Sequence, residues 1–314
     1  MVGATGTIGR ETVRSLIERG FDVVCFTRAK AEAAPQIEGA EVRVGDVADP
    51  ASLAADGFRG ERFDAVLSCM ASRTGAPKDA WAVDYEAHCT LLEAARAAGV
   101  PHFVLLSAIC VQKPKLAFQK AKLAFEERLV ASGLSYAIVR PTAFFKSLAG
   151  QVERVRNGKP FLVFGDGRRT ACKPISDRDL ASYLADCLVD PDLSNRILPI
   201  GGPGPAITPR EQGERLFALA GREPRFSHAP PWLLDGVIAL LSATGAVFPP
   251  LKEKAELARI GRYYASESML VLDPETGAYD ADATPSTGRD TLFEYYADLM
   301  AGDAAVDRGA HKVF

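Results

Sequence analysis

Short apolar runs alternate with stretches of helical periodicity from the start of the chain to about Ala143. The runs are Asp22–Arg28, Glu41–Val44, Asp64–Cys69, His102–Ser107 and Ser135–Val139. Between them, apolar residues recur at helical spacing over Arg10–Arg19, around Asp49–Phe58, over Asp79–Ala98 and from Pro114 to Ala131. A strand buried on both faces carries no polar alternation, so continuous apolar strands separated by helices predict a parallel sheet covered on both sides. The fold class is therefore α/β, a doubly wound parallel sheet of Rossmann type. Beyond Arg140-Pro141, where the proline ends a strand, the regularity weakens. Gln151–Arg156 reads as a helix, Phe161–Phe164 as a short strand and Gly165-Asp166-Gly167 as a turn. Asp177–Val189 reads as a helix capped by Ser176 or Asp177, and Ile197–Ile200 as a strand. Thr208 with Glu211 forms a capping box that opens a helix over Pro209–Ala220. This half predicts a smaller, mixed α+β lobe.

In a doubly wound sheet, ligands sit at the carboxyl ends of the strands, so the chemistry belongs in the residues just after each run. The first such turn is Gly3-Ala4-Thr5-Gly6-Thr7-Ile8-Gly9. Glycines at three-residue intervals ahead of a helix allow a tight bend, close approach of a pyrophosphate and close helix–strand packing. Unpaired N–H groups at the helix start then face the phosphates. Gly3, Thr5, Gly6, Thr7, Ile8 and Gly9 are thus candidate cofactor contacts. Only Met1-Val2 precede the turn, so the central strand that should lead into it is nearly missing, and a start upstream of Met1 is expected.

After the second strand stand Arg28 and Lys30, where an NAD enzyme places an acid for the ribose 2′-hydroxyl; two cations there suit a 2′-phosphate and favour NADPH. Asp46 and Val47 follow the next strand, near the expected adenine, and Cys69 and Ala71 offer small side chains beside the passing cofactor. Ser107 ends the fourth run, the fifth strand when the truncated one before Gly3 is counted, at the nicotinamide end, as a proton-relay hydroxyl or a simple loop cap. Lys122 lies one helical turn after Phe118. Short-chain dehydrogenases place a tyrosine and a lysine at that spacing, on one helical face. Here the phenol is absent, which argues against ordinary carbonyl reduction and leaves Lys122 as the catalytic candidate, to orient the cofactor or to deliver a proton directly or through water. Pro141 and Thr142 close the sixth strand beside the cofactor. The sequence divides into an NADP(H)-binding core over 1–143, a substrate lobe over 144–300 with elements packing back on the core, and a frayed tail over 301–314.

Several blocks go beyond a fold class. They include Ser68-Cys69-Met70-Ala71-Ser72-Arg73-Thr74-Gly75, Leu106-Ser107-Ala108-Ile109-Cys110-Val111-Gln112-Lys113-Pro114 and Arg140-Pro141-Thr142-Ala143-Phe144-Phe145-Lys146-Ser147-Leu148-Ala149-Gly150. Others are Cys172-Lys173-Pro174-Ile175-Ser176, Leu198-Pro199-Ile200-Gly201-Gly202-Pro203-Gly204 and Ile260-Gly261-Arg262-Tyr263-Tyr264-Ala265. Together they resemble the 3,8-divinyl (proto)chlorophyllide a 8-vinyl reductases, atypical short-chain dehydrogenases/reductases of chlorophyll and bacteriochlorophyll biosynthesis. The resemblance runs from Val2 to about Leu299. It implies NADPH-dependent reduction of a C8 vinyl group to ethyl on a divinyl chlorophyllide-type tetrapyrrole, a reaction in which no carbonyl oxyanion forms. With that substrate, Phe144, Phe145 and Trp232 become candidate walls for a flat ring, and Lys146, Lys173 and Arg262 candidate partners for a propionate. Two other readings stay open: a non-enzymatic NADP(H) sensor or assembly factor of the same fold, and a reductase of another conjugated molecule, as in isoflavone reductase-like proteins.

A net charge of -3 offers no electrostatic footprint for nucleic acid. The six cysteines form no C-x-x-C pair and the four histidines are scattered, so no metal is expected. The most apolar helical stretch, Trp232–Phe248, is short and carries Asp235, which argues against stable membrane insertion and leaves peripheral contact with a photosynthetic membrane open. With no signal or transit pattern at the start, the expected location is the cytoplasm of a bacterium.

Overall fold

The computed structural model describes residues 1–28, 37–230, 232–245 and 250–302. The chain builds two compact units. The first comprises Met1–Arg73, Pro77–Pro141 and Asp177–Leu198; the second comprises Thr74–Ala76, Thr142–Ser176 and the chain from Pro199 onward.

In the first unit the strands are β1 (Val24–Thr27), β2 (Glu41–Val44), β3 (Ala65–Ser68), β4 (His102–Leu106) and β5 (Ser135–Pro141). β6 (Phe161–Phe164) intervenes before β7 (Arg196–Ile200), which flanks β5. β1 pairs with β2, β3 with β4 and β4 with β5, each in parallel. Val2 joins the two sets. It bridges Phe26 of β1 on one side and Ser68 of β3 on the other, and its N–H donates to Leu67 O at 3.0 Å. The strand order is thus β2-β1-Val2-β3-β4-β5-β7, with the first strand reduced to a single bridging residue. The reason for the fold is burial: Val2, Phe26, Val66, Phe103, Leu105 and Ile138 form one core with Leu91, Phe125 and Leu129 from the covering helices. Dry apolar faces on both sides of the sheet are what the unbroken strand patterns demand.

The chain returns to this unit after its excursion into the second, so one boundary near residue 143 does not describe it. Helix Asp177–Asp186 buries Leu180, Ala181, Leu184 and Ala185 and packs on helix Thr7–Glu18. Arg19 seals the pair by donating to Asp186 Oδ1 and to Ser182 Oγ, both at 2.6 Å. Two helices also depart from the expected α-geometry. After Pro50–Ser52 the winding widens to i→i+5 over Leu53–Phe58. Likewise Trp81–Ala87 is a widened segment between Pro77–Ala80 and His88–Ala97.

The second unit has its own core. β6 pairs in parallel with β8 (Phe226–Ala229), and Phe145, Val152, Phe161, Val163, Leu216, Phe217, Tyr296 and Leu299 close around them. The capping box is present as expected, with Thr208 and Glu211 bonding reciprocally at the head of Pro209–Leu219. Helices Trp232–Gly245 and Pro250–Tyr264 pack as a hairpin. Arg262 Nε binds Asp235 Oδ1 at 2.8 Å across it, and Arg259 Nη2 donates to Ser242 Oγ at 2.7 Å. No helix among the described residues is long and apolar enough to cross a membrane.

Candidate active site

The glycine turn shows why each glycine is where it is. Gly3 has φ +76°, and a Cβ there would lie 2.5 Å from the Cys69 carbonyl carbon. At Gly9 a Cβ would stand 2.0 Å from Gly3 O, so the helix packs directly on the turn. Both positions are closed to any side chain. Gly6 differs: its Cβ would meet only Gly3 O, at 3.5 Å. Packing within the chain does not require glycine at this exposed position, at the N-cap of helix Thr7–Glu18. A bare N-cap with no acidic residue in the first helical turn leaves a positive helix end open to an anion. That arrangement fits the pyrophosphate of a dinucleotide.

Behind the turn, Thr12 Oγ1 donates to Ile8 O and lies 3.8 Å from Cys69 Sγ at the end of β3. Burial pushes the Cys69 thiol up to about 12, so it stays neutral. Arg28 follows β1 and is exposed. Lys30 lies outside the described residues. Asp46 is exposed and its Oδ1 accepts from Ala48 N at 2.9 Å. Val47 turns its side chain into the core, leaving backbone for any cofactor contact. Ala71 is exposed, beside buried Ser72.

Lys122 rises from helix Ala117–Val130 and is 9% exposed. Its Nζ lies 3.1 Å from Asp84 Oδ1, on a carboxylate that is itself fully buried. The same Oδ1 accepts from Ser72 N at 3.1 Å, whereas Oδ2 has no partner. Next to them stands His88, whose Nδ1 is 2.8 Å from Val83 O and whose Nε2 is 2.9 Å from Ser68 Oγ. A carbonyl can only accept, so Nδ1 carries the proton and Nε2 accepts from the Ser68 hydroxyl. Burial, then the nearby Lys122 charge, lowers the His88 pKa to about 4 and keeps the ring neutral. One turn beyond Lys122, buried Glu126 takes Ser107 Oγ–H and three guanidinium bonds from Arg140, two of them from a shared Nε–H. Ser107 therefore spends its hydroxyl proton on Glu126. A substrate-facing relay role would require that bond to break.

The second unit holds the remaining expected contacts. Phe145 is a core residue, 5% exposed and ring-to-ring with Tyr295, so it is not a pocket wall. Adjacent side chains at a helix start diverge, which is why its half-buried neighbour Phe144 is not in that core. Pro141, which ends β5 in the first unit, is buried, as is Thr142 in the second, whose hydroxyl donates to Lys173 O. Lys173 Nζ donates to Thr284 O at 2.9 Å and Arg262 is paired with Asp235, so both cations already have partners. Lys146 is partly buried. Trp232 is 69% exposed, with Leu240 also open on the same helix. Sequence reasoning missed Asp84, His88, Glu126 and Arg140. Among the described residues no cluster of His, Cys, Asp and Glu is placed to hold a metal.

Comparison with known proteins fits this picture. A family model described as NAD(P)H-binding matches residues 3–191. The chain is 50% identical over 330 residues to the chloroplastic divinyl chlorophyllide a 8-vinyl-reductase of Cucumis sativus, covering 100% of this chain and 79% of that protein. It is 49% identical to the Zea mays protein of the same name, covering 100% and 82%. Among solved structures, the NADPH complex of the quinone oxidoreductase QOR2 from Escherichia coli has a TM-score of 0.69 at 19% identity, covering 95% of this chain and 98% of that one. That likeness speaks for the fold. The expectation of a bacterial cytoplasmic protein is overturned by the relatives, which are chloroplastic plant proteins.

Proposed function

We propose how this chain works from the premise that it belongs to the divinyl chlorophyllide a 8-vinyl-reductase family. It is an NADPH-dependent oxidoreductase that reduces the C8 vinyl group of divinyl chlorophyllide a to ethyl. The assignment of roles to residues is our own reading. When bound, NADPH supplies the hydride, two electrons and one hydrogen, to one vinyl carbon. The other carbon takes up a proton, and the conjugated macrocycle spreads the charge in between.

The turn Gly3–Gly9 and the open helix end receive the pyrophosphate. Arg28 pairs with the 2′-phosphate, with Lys30 as a second cation from the sequence. Lys122 orients the nicotinamide ribose from the floor of the site. Phe118 offers no phenol, and a vinyl group needs none, because no oxyanion develops at a carbonyl. In the second unit, Phe144 and Trp232 are the apolar surfaces for the ring, and Lys146, Lys173 and Arg262 are the candidate cations for the propionate.

What supports this reading is that Lys122 is buried, one helical turn after Phe118, which stands where short-chain dehydrogenases carry a phenol. Mixing the protein with NADPH and divinyl chlorophyllide a should shift the Soret band to the blue as one double bond leaves conjugation. One NADPH should be consumed per product. Divinyl protochlorophyllide a, run in parallel, reads the substrate preference. Lys122→Met should abolish turnover; near-normal activity in that variant removes Lys122 from the mechanism.

A further inference from the structure

Asp84 sits in the middle of the widened segment Trp81–Ala87, within a longer helical stretch. A carboxylate on a helix, between Val83 and Tyr85, would ordinarily be solvated, yet Asp84 is 1% exposed. A widened turn adds one residue and so re-aims the side chains that follow it, and such turns concentrate at functional sites. Here the turn is held from outside by His88. Its ring donates to Val83 O and accepts from Ser68 at the end of β3. The carboxylate therefore has a fixed address.

That address joins three elements. Asp84 Oδ1 accepts from Ser72 in the loop after β3, and Lys122 Nζ comes to the same oxygen from helix Ala117–Val130. Its other oxygen is buried without any partner. Holding a buried carboxylate with half its acceptor capacity unused costs stability, and nothing in core packing alone calls for it. Near Lys122, burial raises the Cys69 thiol and lowers His88, and the Glu126 carboxylate one turn on is engaged by Arg140. The carboxylate that pairs with Lys122 is Asp84.

We infer that Asp84 is a positioning residue, which holds the Lys122 ammonium at the head of the loop after β3 and so fixes the point from which it engages the cofactor. The inference rests on the role proposed above for Lys122. An unheld buried ammonium has two escapes, to swing toward water or to lose its proton, and either removes it from the site.

The test is a double-mutant cycle of Asp84→Asn and Lys122→Met, read by NADPH Kd, kcat and melting temperature. Asn keeps the size of Asp and an acceptor for Ser72, and removes only the charge. D84N should raise the NADPH Kd and lower kcat, each by at least about tenfold, the scale expected when a buried pair loses one partner. In the K122M background, D84N should change Kd little, because the ammonium it positions is gone. The double variant should also melt above D84N, since no unpaired buried charge remains. Equal effects of D84N on Kd in both backgrounds would overturn the inference and make Asp84 merely structural. So would a double variant less stable than D84N, which keeps the test decisive even if D84N folds poorly. Failure of the wild-type protein to bind NADPH would instead defeat the underlying reading.

Discussion

His88 makes a quantitative pH dependence for the first unit. In the unfolded chain its imidazole takes a proton near its ordinary value of 6.5, whereas in the fold burial holds it neutral down to about 4. Between those values the unfolded state binds more protons than the folded state. Stability from this group is therefore full above pH 6.5 and is lost as pH falls through the window. Going from pH 7.5 to pH 5.0 should cost about 2 kcal/mol from His88 alone. The assay is equilibrium urea unfolding in a Trp232→Phe background, where Trp81 is the remaining tryptophan and reports from the same helical stretch. His88→Gln removes the titration and leaves an amide to bridge toward Ser68. It should unfold at lower urea than its parent at pH 7.5, yet lose about 2 kcal/mol less on acidification. The difference between the two pH slopes isolates His88 from the amino terminus and from His102, whose values burial also lowers. Parallel slopes would refute the reasoning, and would mean that the folded ring takes up its proton near the ordinary value.

Two further outcomes follow from the cofactor turn. Gly9→Ala forces a methyl to within 2.0 Å of Gly3 O and should lower the melting temperature of the first unit markedly, by several degrees, whereas Gly6→Ala should fold normally and still bind NADPH at least about tenfold more weakly. Calorimetry and NADPH titration on both variants check the split. Arg28→Ala should weaken NADPH by about tenfold or more, roughly 1.4 kcal/mol, while leaving NADH within a factor of about two, as judged by parallel titrations.

Much of the first unit was readable because its signals are local. Strands buried on both faces must be apolar throughout, and His102–Leu106 falls where the run His102–Ser107 predicts. The Gly3–Gly9 turn was legible because backbone crowding admits no other residue at two of its positions. The carboxylates were not. Neither Asp84 nor Glu126 carries a local signal, since their partners Lys122 and Arg140 are brought to them only by the fold. The widened turns left no mark either, because i→i+5 winding depends on what packs against a helix rather than on its residues. Phe145 and Phe144 were indistinguishable by composition, and only the direction of the helix start separates core from surface. The mixed second half gave up its capping box and little of its topology, since its short strands and bridges depend on distant segments.

The return of Asp177–Leu198 to the first unit bears on how the protein can be made. During synthesis the leading portion emerges with the apolar stripe of helix Thr7–Glu18 uncovered, and it stays so while a piece of the other unit is translated. The cofactor half is complete only once helix Asp177–Asp186 has left the ribosome. Neither half is a contiguous gene segment, so swapping one between relatives needs five junctions, and a fragment ending near residue 143 would be a nascent-chain intermediate, prone to association, rather than an isolated nucleotide-binding domain.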